Sequence, residues 1–218
     1  MPTSTVEDYI KAIYTETQDH PDTLLPIGQL AAEIKVVPGT ATSMVKSLKD
    51  AGLVHYEPRV GVRLSRQGEA LALHVLRRHR LVELFLVKIL KMDWSEIHEE
   101  AENLEHVVSE RVLEHIDALL NHPQYDPHGD PIPSLNGEME ERQLTKLPQC
   151  NAGETRLIGR ILDQEPDFLQ FAERKGLVPG QEITILSKDT MADAIQIQSP
   201  ICEKITLGHS VASKIEVE

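Results

Sequence analysis

Apolar residues recur at helical spacing from the start of the chain. Val6, Ile10, Ile13 and Tyr14 share one face, with Thr3, Ser4 and Thr5 as capping candidates, and predict a helix over 4–17. A polar stretch holding Pro21 and Pro26 closes it. Ile27, Leu30, Ala31 and Ile34 predict a short second helix, Val37-Pro38-Gly39 a turn, and residues 40–51 a third helix that buries Ala41, Met44, Val45 and Leu48 and stops at Gly52. Alternation then replaces the helical period. Leu53 to Glu57 reads as a strand, 58–61 as a turn and Val62 to Leu64 as a returning strand.

Two short helices joined by a turn, followed by a β-hairpin, form a winged helix-turn-helix pattern whose third helix would enter a DNA major groove. Gly39, Thr40, Thr42, Ser43 and Lys46 fall on the turn and the early, polar side of that helix, where hydroxyls and a lysine reach bases or phosphates. Arg59 and Arg63 fall on the hairpin, placed for phosphate or minor-groove contact.

Ser65 is positioned to cap a long helix over 66–90, apolar on more than one face as a dimer interface requires. Residues 95–107 and 109–121 predict two further helices. The stretch 122–141, rich in proline, glycine and acid, reads as a capped end followed by a linker. From about Leu144 the pattern turns to short β-rich runs at 157–162, 182–186, 194–197 and 213–217, with a short helix near 168–173. The expected class is therefore mainly α, with a winged helix-turn-helix domain over 1–65, a helical dimerisation domain over 66–140 and a small β-barrel domain over 141–218.

Charge sharpens this outline. The 218 residues carry a net charge of −13, which taken alone argues against nucleic-acid binding. Residues 76–140 hold 14 acidic against 6 basic residues, whereas the window 35–66 is net +4. A basic patch beside an acidic centre implies two sites with different partners. No apolar run is long enough for a membrane span and no basic-then-apolar leader opens the chain, so a cytoplasmic location is expected. Cys150 and Cys202 are too few for a disulfide framework and read as core residues.

The acidic centre carries the chemistry. His79 and Glu83 are four apart on the long helix; His98, Glu102, Glu105 and His106 stack along the next. Carboxylates gathered on one face without compensating lysines repel unless a cation neutralises them. Imidazole and carboxylate without thiolate suit Mn²⁺ or Fe²⁺, with Zn²⁺ and Co²⁺ able to substitute. The segment starts like a zincin helix, but Glu102 stands where H-E-x-x-H needs its second histidine. A di-iron bundle would need Glu rather than Asn103 three residues before His106. No phosphate-binding glycine loop and no nucleophile elbow occurs, so no enzyme is expected. A metal-binding enzyme or metal buffer with a helical interaction module is the alternative.

The sequence HRLVE at 79–83, EHVVS at 105–109 and GDPIP at 129–133, within this order of elements, resembles the metal-dependent repressors of the diphtheria toxin repressor family over nearly the whole chain. The resemblance implies a metal-loaded homodimer that binds palindromic operators and represses uptake genes, with an SH3-like C-terminal domain. It assigns His79, Glu83 and His98 to one metal position and Glu102, Glu105 and His106 to another, completed by Asp8. The iron-responsive branch has Cys and Met where this chain has Glu102 and Asp8; these harder ligands favour manganese. Lys11 stands where the manganese branch has a glutamate. Glu165 matches a glutamate that the C-terminal domain lends to the first position, while Phe168 falls where a glutamine accompanies it.

Overall fold

The computed structural model describes residues 3–18, 20, 22–140 and 142–218; Pro21 and Glu141, both included in the segments read above, lie outside the described residues. The chain packs as two compact units, residues 1–78 with 133–138, and residues 79–132 with 139–218.

The first unit opens with α1 (Ser4–Thr17), whose first turn is capped by Thr3 Oγ1 accepting from the Val6 N–H. Ile10 and Ile13 point inward against α2 (Ile27–Glu33) and α3 (Pro38–Asp50), burying Leu30, Val45 and Leu48. Pro38 and Gly39, expected in a turn, instead form the first turn of α3. Proline has no N–H to leave unsatisfied there and its fixed φ suits the first helical position. Strands β1 (Val54–Glu57) and β2 (Gly61–Leu64) pair in register from Val54 with Leu64 to Glu57 with Gly61. Leu25 bridges to Val62 and seats the hairpin on the helices. Ser65 caps α4 (Arg66–Lys88), its Oγ accepting from the Gly68 N–H at 3.1 Å. Arg78 donates to Glu7 at 2.6 Å and fastens α4 to α1 inside this unit.

The second unit begins at His79, within α4, and contains α5 (Ile97–Glu105) and α6 (Glu110–Leu119). Ile97 and Ala101 are fully buried against Val82 and Leu86, which fixes the face that α5 turns to α4. The β-rich part holds β3 (Thr145–Lys146), β4 (Thr155–Ile161), α7 (Pro166–Arg174), β5 (Glu182–Asp189), β6 (Ala194–Ser199), β7 (Cys202–Gly208), α8 (His209–Ala212) and β8 (Ile215–Val217). Its strands form one antiparallel sheet in the order β3-β8-β4-β5-β6-β7, bent by register shifts in β4, β5 and β6. Ile158, Leu169, Leu177, Ile183 and Ile197 fill its core, and Trp94 joins that core from the α4–α5 connection. Cys150 is buried, but Cys202 is only half-buried because it lies on the edge strand β7.

The stretch 122–132 is not the linker its composition suggested. Asp126, His128, Gly129 and Asp130 are buried. Asp126 Oδ1 accepts from the N–H groups of His128 and Asp130 at 2.8 and 2.9 Å, closing a tight turn. Gly129 has φ +90°, and a Cβ there would overlap the Gly159 carbonyl oxygen. Arg77 draws residues 133–138 back to the first unit by donating to the Pro133 carbonyl at 2.7 Å.

Candidate metal centre

His79 and Glu83 project from the same face of α4, one turn apart, with His79 Nε2 3.0 Å from Glu83 Oε1. The other ring nitrogen, Nδ1, lies 2.6 Å from Glu105 Oε2 and 3.7 Å from Glu102 Oε1, both on α5. His98, one turn before Glu102, places Nδ1 3.3 Å from Glu83 Oε1 and Nε2 3.6 Å from Glu102 Oε1. The ring of His98 meets that of His79 edge-on at 5.1 Å. Glu83 and Glu105 are buried, Glu102 is half-buried and the His98 side chain is 59% exposed, so the cluster opens to solvent on the His98 side.

Ligand-bearing atoms within 4.8 Å of one another define the groups His79–Glu83–His98 and His79–Glu102–Glu105. The first is the set expected for one metal position. His79 belongs to both groups, because its two nitrogens face opposite carboxylates. His106 caps the end of α5, with Nε2 3.5 Å from Glu105 Oε1. Asp8 is half-buried in the middle of α1, in the first unit.

The donor set fits a divalent cation on chemical grounds. Both ring nitrogens of His79 face carboxylate oxygens, an anionic surround that a proton on the ring or a divalent cation would neutralise. Burial pushes the Glu83 carboxyl up, but the charge of His79 and hydrogen bonds from His79 and His98, with the charge of His128, outweigh it and hold the group well below the usual carboxylate range. Glu83 is thus an anion in the interior, as a ligand must be.

Two further residues belong to this neighbourhood and escaped sequence reasoning. Asp126 and His128 form a third group with Glu83. Burial, together with the charges of Asp130 and Glu83, raises the Asp126 carboxyl well above its ordinary value, against the pull of Arg80. His128 stacks on Trp94 at 5.5 Å, and among the described residues its Nδ1 has no hydrogen-bond partner. Their chemistry was visible as D-P-H, but nothing periodic marked the segment as buried.

Glu165 is the N-cap residue of α7 and is exposed. It lines a cavity of about 540 Å³ together with His98, Asp163, Gln164 and Lys214, but is not part of any of the described metal-ligating groups. Phe168 is buried in the sheet core, which makes it packing and not a ligand substitute.

On the first unit, Gly39, Thr40, Ser43 and Lys46 are exposed on α3 and Thr42 is half-buried. Thr42 and Ser43 donate their hydroxyls to the Pro38 and Gly39 carbonyls at 2.8 and 3.0 Å. Arg59 sits exposed at the hairpin tip with φ +69°, and Arg63 is half-buried on β2 opposite His55. All seven residues named from the sequence therefore lie on the helix and wing of one unit.

Three family models cover almost all of the chain. The iron dependent repressor N-terminal DNA binding domain matches residues 1–62, the iron dependent repressor metal binding and dimerisation domain 65–134, and the FeoA domain 145–218. A manganese-dependent transcriptional repressor solved in complex with manganese superposes with a TM-score of 0.87 at 36% identity, covering 98% of this chain and 99% of that one. The iron-dependent repressor IdeR of Mycobacterium tuberculosis (strain ATCC 25618 / H37Rv) is 28% identical over 98% of this chain and 96% of its own length. The diphtheria toxin repressor of Corynebacterium glutamicum is 31% identical over 84% of each.

Proposed function

Since the chain belongs to the diphtheria toxin repressor family of metal-dependent transcriptional repressors, and is not an enzyme, we propose that it is a manganese-favouring member whose operator binding is switched by the cation. The observation that carries the choice of metal is the ligand set. His79, Glu83, His98, Glu102 and Glu105 come together without one sulfur donor. Hard carboxylate oxygens with imidazole select Mn²⁺ over the softer ions, and Fe²⁺ remains the nearest competitor. Zn²⁺ and Co²⁺ bind the same donors.

One cation is held by His79, Glu83 and His98, and another by Glu102, Glu105 and His106. Asp8, which the resemblance assigns to the second position, supplies its ligand from the DNA-binding part of the sequence. Without metal the gathered carboxylates repel one another. With it, the arrangement that presents the recognition helix is selected from the ensemble. Glu165 is the candidate ligand from the β-rich part, in the cavity wall beside His98.

The partners are a second copy of the chain and palindromic double-stranded operator DNA. Val112 and Leu119, seven apart on α6, are 50% and 57% exposed, an apolar strip of the kind a two-fold interface covers. Two recognition helices in such a dimer read half-sites about 34 Å apart on one DNA face. Thr40, Thr42, Ser43 and Lys46, with Gly39 allowing close backbone approach, face the groove, and Arg59 and Arg63 grip the backbone from the wing. Among the described residues no helix is long and apolar enough to cross a membrane. Action on DNA fits the cytoplasmic location expected from the sequence, and control of metal-ion homeostasis is the role such a switch serves. The test is selection of DNA from a random pool with and without Mn²⁺. A palindrome should be enriched with the metal and nothing without it; the same enrichment in chelator would reject the switch.

A further inference from the structure

Among the described residues of the first unit, two non-glycine residues hold a left-handed backbone: Lys35 at φ +55° and Arg59 at φ +69°. That conformation crowds Cβ against the following carbonyl oxygen, and outside glycine it is enriched in Asn and Asp. Both turns are ones that favour glycine. Lys35 follows the last turn of α2. Its N–H donates to the Ala32 carbonyl at 3.2 Å and the Val36 N–H to the Ala31 carbonyl at 2.9 Å, a helix end whose left-handed position is most often glycine. At the wing tip the Val60 N–H donates to the Glu57 carbonyl at 3.1 Å, with Pro58 and Arg59 between them. Proline suits the first central position of such a turn and glycine the second. The base of the wing is fixed. Leu25 and Val62 exchange both backbone hydrogen bonds, and a Cβ on Gly61 would overlap the Leu25 carbonyl.

Lys35 and Arg59 are both exposed, outside the core of the unit. Glycine would relax both turns, yet each carries a long cation. Strain kept at an exposed, charged position points to a partner rather than to folding. The first turn leads into α3 and the second closes the hairpin that follows it, so the two cations flank the recognition helix along the chain. We propose that Lys35 is a DNA contact, and that Lys35 and Arg59 work as a pair on operator phosphates, one ahead of α3 and the other on the wing. This rests on the operator-binding reading above, in which Arg59 already grips the backbone; Lys35 and the pairing are the addition. Each turn is closed by backbone hydrogen bonds, so the cation it carries starts from a fixed point. Phosphate contacts carry no base preference. The pair therefore sets affinity and its salt dependence, and leaves the choice of sequence to α3.

Glycine variants of the full chain, studied with Mn²⁺, separate this from a structural role. Lys35→Gly and Arg59→Gly should each keep or raise the melting temperature, because relief of the turn offsets the greater freedom that glycine gives the unfolded chain. Each should nevertheless bind DNA severalfold more weakly, and equally so for a mixed-sequence duplex and for the palindrome enriched by selection. Each should lower the slope of log affinity against log salt by about one, and the double variant by about two. Lys35→Arg keeps the charge and should keep the wild-type slope. A Lys35→Gly variant with the wild-type slope, or one whose weaker binding comes with a lower melting temperature, overturns the proposal. A wild-type chain that binds neither duplex with Mn²⁺ overturns the repressor reading and the pair with it. Wild-type binding with unaffected glycine variants overturns the pair alone.

Discussion

His79 Nδ1 and Glu105 Oε2 lie 2.6 Å apart, joining α4 to α5 through a residue whose other nitrogen already faces Glu83. One imidazole therefore stands between two carboxylates from two helices. On the proposed function, a cation taking a place beside it would replace that contact between the two helices.

Glu102 is where the choice of metal should be adjustable. It is half-buried, beside His79 and His98, and contributes a hard oxygen. Glu102→Cys supplies a soft sulfur instead and should shift activation from Mn²⁺ towards Fe²⁺ or softer ions, by roughly tenfold in the ratio of activating concentrations. Titration of DNA binding with each metal in parallel checks this; an unchanged ratio counts against Glu102 as a ligand.

Lys46 is exposed on α3 with no carboxylate on the neighbouring turn of its own helix except Asp50. As a phosphate contact it carries no base preference. Lys46→Ala should weaken operator and non-operator DNA alike and lower the slope of log affinity against log salt by about one. A loss confined to the operator would mean that Lys46 reads a base.

The site depends on how α5 is seated. Ile97 is fully buried between α4 and α5 and precedes His98, a proposed ligand. Ile97→Ala should cost about 2–5 kcal/mol in urea unfolding, with weaker Mn²⁺ binding at unchanged ligand chemistry. Full metal affinity in a strongly destabilised variant would show that the ligands are held in place by something other than this packing.

Asp163 and Lys214 form an ion pair in the cavity wall near His98. Burial raises the Asp163 carboxyl, but the hydrogen bond and charge of Lys214, with the Glu165 N–H, outweigh it and the group ends below its ordinary value. A depressed carboxyl stabilises the fold above its unfolded-state pKa and loses that contribution as pH falls through the folded one. The pair is partly exposed, so Lys214→Met should cost no more than about 1 kcal/mol at pH 7. Unfolding curves of variant and wild type should converge as pH drops below the usual carboxylate range of about 4. A difference that persists in acid would place the effect in packing, since Lys214 also lies over the Phe168 ring.

How much of this was legible in the sequence depends on whether a residue sits in a regular element. His79, Glu83, His98, Glu102 and Glu105 could be found because helical spacing alone puts them on two faces, and burial of Val82 and Ile97 turns those faces together. The winged helix was readable for the same reason, apart from the start of α3, where proline opened a helix that looked like a turn. Asp126 and His128 were not readable. They lie in an irregular, proline-rich turn whose burial comes from Trp94, Arg80 and the close approach of Gly129 to Gly159, all distant in sequence. Strand β7 was missed because Glu203, Lys204 and Thr206 dilute its apolar alternation at the sheet edge. That His79 belongs to two ligand-bearing groups also lay beyond spacing, since it depends on which ring nitrogen each carboxylate meets.

The central claim is that metal and DNA binding are one linked equilibrium. Reciprocity makes it directly measurable. Mn²⁺ affinity is titrated with and without saturating operator DNA, and operator affinity with and without saturating Mn²⁺. The two ratios should agree, with DNA tightening Mn²⁺ by the factor by which Mn²⁺ tightens DNA. A Mn²⁺ affinity that does not change when DNA is bound would contradict the account.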